Sequence, residues 1–173
     1  MAENELTKAA IGFLTVVDDP AHGLFGGYLI LNPAGRPVEF HCTAPVRPNR
    51  AQEILYGTTL RPYLYGEQIA RTLIEKSKIL PRVVCFDQTD ALCVRPLVSV
   101  PAILVEEVPE PQPESLPQDQ ILWNKKQILS ALPENPEDVP AVRKVLEELV
   151  IEFDFMEPFE RIRSAISEAQ KGI

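Results

Sequence analysis

The cysteines and histidines are the first candidates for chemistry. Cys42, Cys85 and Cys93 with His22 and His41 could form a zinc site or a cysteine–histidine nucleophile pair. No two cysteines have CxxC spacing, and His41 and Cys42 are neighbours on a predicted strand, so their side chains point to opposite faces. Cys42 and Cys85 lie in apolar runs, where free cysteine behaves as a small hydrophobic residue. We therefore predict structural cysteines, no metal, no cofactor and no catalytic residue.

A short acidic loop is the second candidate. Asp18, Asp19 and His22 bring two carboxylates and an imidazole together, which could bind a divalent metal or perform acid–base chemistry. The same loop contains Pro20 and Gly23, and such residues are also typical of an ordinary turn. The turn is the preferred interpretation, and a small metal-dependent or hydrolase-like enzyme that uses this loop is kept as an alternative.

Four arginines in loops and at helix starts are the third candidate. Helix N-termini attract anions, so an anion or partner site at these arginines is physically reasonable. The predicted binding residues are Arg36, Arg47, Arg50, Arg61 and Tyr63. Pairing of the arginines with nearby glutamates is the simpler interpretation. A nucleic-acid- or phosphate-binding module that uses this surface is the first alternative function.

Local patterns predict the elements that position these residues. A strand is expected over 11–18, and 28–31 and 38–43 form a hairpin around the turn Asn32-Pro33-Ala34-Gly35. Asn49 and Gln52 form a capping box that starts a short helix, which Gly57 ends. A second helix follows, with a kink or a close packing contact at Gly66. The apolar runs at 83–86 and 98–105 predict two more strands, the second an edge strand because it contains Pro101.

A linker divides the chain into two parts. Residues 106–118, EEVPEPQPESLPQ, contain four prolines and four glutamates and cannot form a core. We therefore predict an α+β body over 8–106, a linker over 107–118 and an acidic helical tail over 119–173. Helices are expected over 121–132 and from Pro140 onward, and residues 1–10 form a polar lead-in or a short helix. The apolar residues of the tail with predicted partner contacts are Trp123, Leu146, Leu149 and Phe159.

Composition limits the class of protein. The chain has 173 residues and a net charge of −8. Residues 20–104 contain nine Lys/Arg and six Asp/Glu, a net of +3, and the rest contain eight and nineteen, a net of −11. No run has the length of a membrane span, and the start MAENELTK does not resemble a signal peptide. Three cysteines, an odd number, favour reduced thiols, so we predict a cytoplasmic protein that does not bind membranes.

The predicted fold is α+β, with a mainly antiparallel sheet in the order β-β-β-α-α-β-β and helices on one face. This order is compatible, by analogy only, with PAS-like and roadblock-like folds, and such an analogy carries no function. The leading functional prediction is a non-enzymatic binding or adaptor protein, a subunit of a larger assembly. We expect a protein partner or self-association, with nucleic acid as the alternative partner.

Overall fold

A single mixed sheet of seven strands forms the centre of the molecule. The structure is a computed structural model, and it describes residues 9–172. The predicted lead-in over 1–10 therefore lies almost entirely outside the described residues. The strands are β1 (Ile11–Asp19), β2 (Gly23–Leu31), β3 (Pro37–Cys42), β4 (Val83–Phe86), β5 (Ala102–Glu107), β6 (Gln120–Trp123) and β7 (Gln127–Ser130). Their order in the sheet is β3-β2-β1-β4-β5-β7-β6.

Helices cover both faces of this sheet. The helices are α1 (Arg50–Tyr56), α2 (Leu60–Pro62, Tyr63–Ala70 and Arg71–Lys76 in succession), α3 (Thr89–Leu92), α4 (Asp138–Glu148) and α5 (Glu157–Lys171). The middle of α2, Tyr63–Ala70, is π-helical. Gly66 lies inside it, and a Cβ there would meet the backbone nitrogen of Val94 at 3.1 Å. This confirms the predicted close contact at Gly66, because α2 packs there directly against the chain that follows α3.

Two apolar cores lie on the two faces. The first core is formed by alternate residues of β1, β2 and β4 under α4 and α5, and the second by the intervening residues under α2 and α3. Gly26 and Gly27 make both cores possible at β2. A Cβ on Gly26 would lie 2.2 Å from Ile69 of α2, and one on Gly27 would lie 2.3 Å from Ile162 of α5. Two adjacent glycines thus allow helices to approach the same strand from opposite sides.

The predicted fold class is wrong in its sheet and in its helix placement, although α+β holds. The first three strands form an antiparallel meander, but β4 pairs with β1, and β5 with β4, in parallel. The PAS-like and roadblock-like analogies fail with it. The four residues of β4 are all buried, which is typical of a parallel strand covered on both faces. Pro101 precedes β5 instead of interrupting it. β5 lies between β4 and β7 in the sheet, so the prediction of an edge strand is wrong.

The segment predicted as the first tail helix is a hairpin. Strands β6 and β7 pair antiparallel around Asn124 and Lys125, which both have positive φ (49° and 58°). Two successive left-handed residues, the first an asparagine, are typical of a tight hairpin turn. β7 pairs in turn with β5. The tail therefore adds two strands to the sheet of the body, and only its later part is helical.

A buried ion pair fastens the helical part of the tail to the body. Asp138, at the start of α4, accepts hydrogen bonds from Nε and Nη2 of Arg95 at 2.8 and 3.1 Å, and from the backbone nitrogen of Ala102 at 3.2 Å. The Asp138 side chain is 1% exposed and that of Arg95 is 11% exposed. The hydrogen bonds between the two groups compensate for their removal from water.

The four tail residues with predicted partner contacts pack on the first core, Phe159 fully buried and the other three partly buried. Phe159 is fully buried and packs edge-on against Phe13 of β1, with ring centroids 5.5 Å apart. Trp123 donates its indole hydrogen to the backbone oxygen of Phe153 at 2.7 Å, and Leu146 and Leu149 are partly buried on the same core. These four residues thus make contacts within this chain, and docking on a partner stays a prediction. Over residues 9–172, no helix is both long enough and apolar enough to span a bilayer.

Candidate functional site

The carboxyl ends of the parallel strands bring most of the predicted polar residues to one edge of the sheet. β1 ends in Asp18 and Asp19, Asp87 follows β4, and β5 ends in Glu106 and Glu107. We call this the carboxyl edge. In open sheets with parallel strands, ligands usually bind outside the carboxyl ends of those strands. A ligand-binding site is therefore expected at the carboxyl edge.

Asp18, Asp19 and His22 do not converge. Asp19 accepts hydrogen bonds from the backbone nitrogens of Ala21 at 2.8 Å and of His22 at 3.3 Å, and its other oxygen lies 3.2 Å from the His22 ring nitrogen. The bond from His22 and that from Ala21 hold the pKa of Asp19 below its usual value. Asp18 precedes it on the strand and so points to the other face. The loop is therefore an Asx turn, in which an aspartate side chain accepts from the backbone nitrogen two residues on.

A cluster of Asp18, Arg61, Tyr65 and Asp90 occupies the α2 side of the edge. Arg61 donates from Nε to Asp90 at 2.9 Å, and its guanidinium carbon lies 4.6 Å from the centre of the Tyr65 ring. The bond to Asp90 raises the pKa of Arg61, with a smaller contribution from Asp18. Burial raises the pKa of Tyr65, partly offset by Arg61. The arginine therefore stays charged and planar between an acid and an aromatic ring, and its side chain is still 61% exposed.

Asp87 forms an ion pair on the other face of the sheet, the face that α5 covers. Its side chain is 5% exposed and pairs with Arg163 of α5, which also contacts Glu160. The other carboxylate oxygen of Asp87 and the hydroxyl of Thr15 are buried without a hydrogen-bond partner. Gln88, the next residue, bonds to both the nitrogen and the oxygen of Val16, at 2.9 and 2.8 Å. The end of β4 is thus held against β1 by side chains. The periodicity of the sequence contains no sign of this, because Asp87 and Arg163 are 76 residues apart.

Three of the four predicted arginines lie at the carboxyl edge. Arg47 donates to the backbone oxygens of Ala21 and His22, and so ties the segment after β3 to the loop after β1. Arg50 begins α1 and donates to Glu53 at 3.1 Å, with its own side chain 82% exposed. Arg36 is exposed at the β2–β3 turn, beside the start of β1, and so lies at the opposite end of the sheet. The sequence could not separate Arg36 from the others.

Helix α1 lies outside the core. None of its residues is buried, and Ile54 and Leu55 are 64% and 82% exposed. The predicted capping box is confirmed: Asn49 accepts from the nitrogen of Gln52 at 2.8 Å, and Gln52 accepts from the nitrogen of Asn49 at 3.0 Å. These bonds use backbone donors that an anion at the helix start would need. A ligand here would therefore be held by side chains.

Tyrosines join α1 to α2. The rings of Tyr56 and Tyr63 stack with centroids 4.2 Å apart and planes 17° apart. Tyr63 accepts a hydrogen bond from Gln68 at 2.8 Å and packs beside the second core. The arginine–tyrosine surface, as we call it, consists of Arg47, Arg50, Ile54, Leu55, Tyr56, Arg61 and Tyr63. It combines exposed guanidinium groups with apolar and aromatic side chains.

The cysteines and His41 do not form a catalytic or metal site. Cys85 is buried, and burial raises the pKa of its thiol well above the usual value, whereas Cys42 and Cys93 are exposed. The prediction that Cys42 serves as a small hydrophobic core residue is wrong, because its side chain is exposed on the edge strand β3. His41 and Cys42 both line a cleft of about 630 Å³ between β3 and α2, but the His41 ring bonds to Glu39 at 2.6 Å. Between residues 9 and 172 no three His, Cys, Asp or Glu side chains are grouped so that they could hold a metal ion.

Comparison with known proteins gives the fold a precedent. No protein-family model and no curated protein sequence matches the chain. Among solved structures, an Endonuclease V variant of Ciona intestinalis, in complex with a 23mer DNA containing an inosine followed by a ribo-adenosine, superposes with a TM-score of 0.52 at 12% identity. The match covers 93% of this chain and 86% of the other. The chain shares the fold of Endonuclease V.

A second structure agrees. Ciona intestinalis Endonuclease V with a 24mer DNA of the same kind gives a TM-score of 0.51 at 13% identity, over 92% of this chain and 87% of that one. The Marinitoga piezophila Argonaute with a guide RNA covers 87% of this chain but 27% of its own, with a TM-score of 0.41, too low to carry an argument. At such identities the similarity establishes the fold alone.

These comparisons contradict the leading functional prediction. A non-enzymatic adaptor finds no support, since the two Endonuclease V structures with this fold contain bound DNA. The first alternative from the sequence is a nucleic-acid- or phosphate-binding module.

Proposed function

We propose that this chain binds nucleic acid through the arginine–tyrosine surface at the carboxyl edge of its sheet. The observation that carries the proposal is a helix, α1, that contributes no buried residue to the fold yet holds exposed Arg50, Ile54 and Leu55 next to Arg47 and Arg61. Guanidinium groups contact phosphates in pairs of hydrogen bonds, and neighbouring apolar and aromatic groups contact sugars and bases.

The fold supports this location. Two structures of a protein with the same fold over nearly the whole chain contain bound DNA. Ligands of open sheets with parallel strands lie outside the carboxyl ends of those strands, where α1 and the start of α2 are found. The surface and the expected position of a ligand therefore coincide.

The segment that carries most of this surface is basic, although the whole chain is acidic. Residues 44–64 contain three arginines, no lysine and one acidic residue, Glu53, a net of +2, whereas the whole chain has −8. At physiological salt, charges farther apart than roughly 8 Å are largely screened from each other. Within the surface, Arg61 is paired with Asp90 and Arg50 with Glu53, so a phosphate meets guanidinium groups whose charge is partly compensated.

The proposal concerns binding and includes no cleavage step. Three aspartates near the site are paired with a basic group: Asp19 with His22, Asp90 with Arg61, and Asp87 with Arg163. Asp18 lies near Arg61. These pairs leave the guanidinium of Arg50 and the outer side of Arg61 as the groups most accessible to a phosphate.

Salt-dependent binding tests the proposal. Affinity for a labelled single strand and for a duplex is measured by fluorescence anisotropy over a range of salt concentrations. Each phosphate contact contributes a slope of about 0.7 to 0.9 in log K against log salt, so we expect Arg50→Ala and Arg61→Ala each to reduce the slope by roughly this amount. Arg71→Ala is the matched control, because Arg71 is an exposed, paired arginine on α2, about 15 Å along the helix from Arg61.

The second control is Arg36→Ala at the other end of the sheet, which should also leave binding unchanged. Absence of salt-dependent binding to either probe would contradict the proposed function. An equal loss in Arg71→Ala and Arg61→Ala would show that the total charge matters and the surface does not.

A further inference from the structure

The stacked pair of Tyr56 and Tyr63 has a layered arrangement. Tyr63 is the inner ring, since it packs beside the second core and its hydroxyl accepts from Gln68 at 2.8 Å. Tyr56 is the outer ring, and it belongs to neither core. Its backbone oxygen accepts a hydrogen bond from the hydroxyl of Thr59 at 2.6 Å, which fixes the turn between α1 and α2. Tyr56 is therefore held in place without being used by the core.

The residues beside Tyr56 are apolar and exposed. Leu55 is 82% exposed and Ile54 is 64% exposed, on a helix with no buried residue. Large apolar side chains grouped at an exposed position usually mark a binding surface. Arg50, one or two turns earlier on the same helix, adds a cation. The group consists of an aromatic ring, two aliphatic side chains and a guanidinium.

We propose that Tyr56, with Leu55 beside it, is a stacking platform for an unpaired nucleobase, so that the preferred ligand is single-stranded nucleic acid. This inference rests on the proposed function and names the ligand class of the same surface. Every base has a flat face, so an aromatic platform next to arginines binds single strands with little dependence on sequence. In a duplex the faces of the bases are covered by their neighbours, and exposing one costs free energy.

The Tyr56 ring is already ordered before a ligand binds. A free tyrosine side chain loses rotamer freedom when it stacks on a ligand, and this loss lowers affinity. Tyr63 already holds the Tyr56 ring at 4.2 Å in a near-parallel orientation. The base would therefore add one layer to a stack that exists before binding.

Binding of three probes tests the inference: a thymine homo-oligomer, the same strand as a duplex with its complement, and an abasic strand with equal phosphates and no bases. We expect Tyr56→Leu to weaken binding of the single strand about tenfold. Its binding of the abasic strand and of the duplex should stay unchanged. Tyr56→Phe should keep wild-type affinity, because the ring is kept. Leu80→Ala, which removes a side chain 73% exposed elsewhere on the surface, is the control for lost apolar area.

The outcomes separate the two proposals. Equal weakening of the abasic and the base-containing strand would overturn the platform and leave the proposed function standing. Absence of binding to all three probes would overturn both. Light scattering is measured on the same samples: a wild-type dimer that Tyr56→Leu converts to a monomer would assign the surface to a second copy of this chain and overturn the platform. Thermal melts confirm that each variant folds, as expected for a residue outside both cores.

Discussion

Removal of the Asp138 carboxylate should destabilise the whole protein. In Asp138→Ala, Arg95 loses two hydrogen bonds at 2.8 and 3.1 Å, and the nitrogen of Ala102 loses its acceptor at 3.2 Å. A cation whose side chain is 11% exposed is left without its partner. Breaking a buried pair in this way costs about 3 to 5 kcal/mol. We expect the lower end, because Glu137 lies 3.6 Å from Arg95 and provides partial compensation.

The assay is urea unfolding followed by circular dichroism. With a denaturant slope of about 2 kcal/mol per molar urea, a loss of about 3 kcal/mol lowers the midpoint by roughly 1.5 M. For a chain of this length the melting temperature should fall by roughly 6 to 12 °C. Glu137→Ala is the matched control, since this neighbouring carboxylate is 62% exposed and solvent screens its pair with Arg95, so we expect little change in the midpoint.

The double variant Arg95→Met/Asp138→Leu separates the charge from the packing. Because no unpaired charge remains, we expect it to recover most of the stability that Asp138→Ala loses. A loss below about 1 kcal/mol in Asp138→Ala, or a double variant no more stable than the single one, would refute the reasoning that an uncompensated buried cation causes the effect.

Three other predictions concern the linker, an acidic group and a cysteine. Limited proteolysis should cut within 107–118, where most residues are exposed. The two fragments should co-elute on gel filtration because β7 remains paired with β5. Separate elution of the fragments would contradict the shared core. Burial of Glu39 opposes its ionisation, but hydrogen bonds from the nitrogens of Lys78 and Ile79 and from His41 lower its pKa below 4.5. The contribution of Glu39 to stability is therefore present above pH 4.5 and is lost as pH falls through the lowered pKa. Glu39→Gln should flatten that acid limb in urea titrations at several pH values, and an unchanged limb would contradict the assignment. Cys85→Ala should cost about 1 to 2 kcal/mol, as a small truncation in a core does, and exposed Cys42→Ala close to nothing; equal urea midpoints would contradict this.

The division into body, linker and tail depends on one of these experiments. The sequence predicted separate parts because residues 106–118 are rich in proline and glutamate. The structure agrees that most of this segment is exposed, but the chain on its far side returns to the sheet and to the first core. Independent folding of residues 1–106 remains a prediction. The exposed apolar surface that removal of α4 and α5 would leave argues for an unstable fragment.

What the sequence by itself determined is local. The turn at Asn32–Gly35 was predicted from its residue types, and it has the expected bond from the nitrogen of Gly35 to the oxygen of Asn32 at 2.9 Å, with Gly35 at φ 80°. The capping box at Asn49 and the helix end at Gly57 were predicted in the same way. Each depends on residues at most a few positions apart. Propensity and side-chain hydrogen bonding therefore suffice to determine them.

Tertiary structure alone decided the sheet order, the hairpin at β6–β7 and the composition of the site. β4 pairs with β1 from 72 residues away in sequence, counted from Ile11 to Val83. Both strands are covered by the two cores, to which the helices on both faces contribute. The apolar residues around Trp123 fit either a helix or a strand until the edge of β5 provides a partner. The separation of Arg36 from Arg47, Arg50 and Arg61 follows from the strand directions, which no local pattern contains.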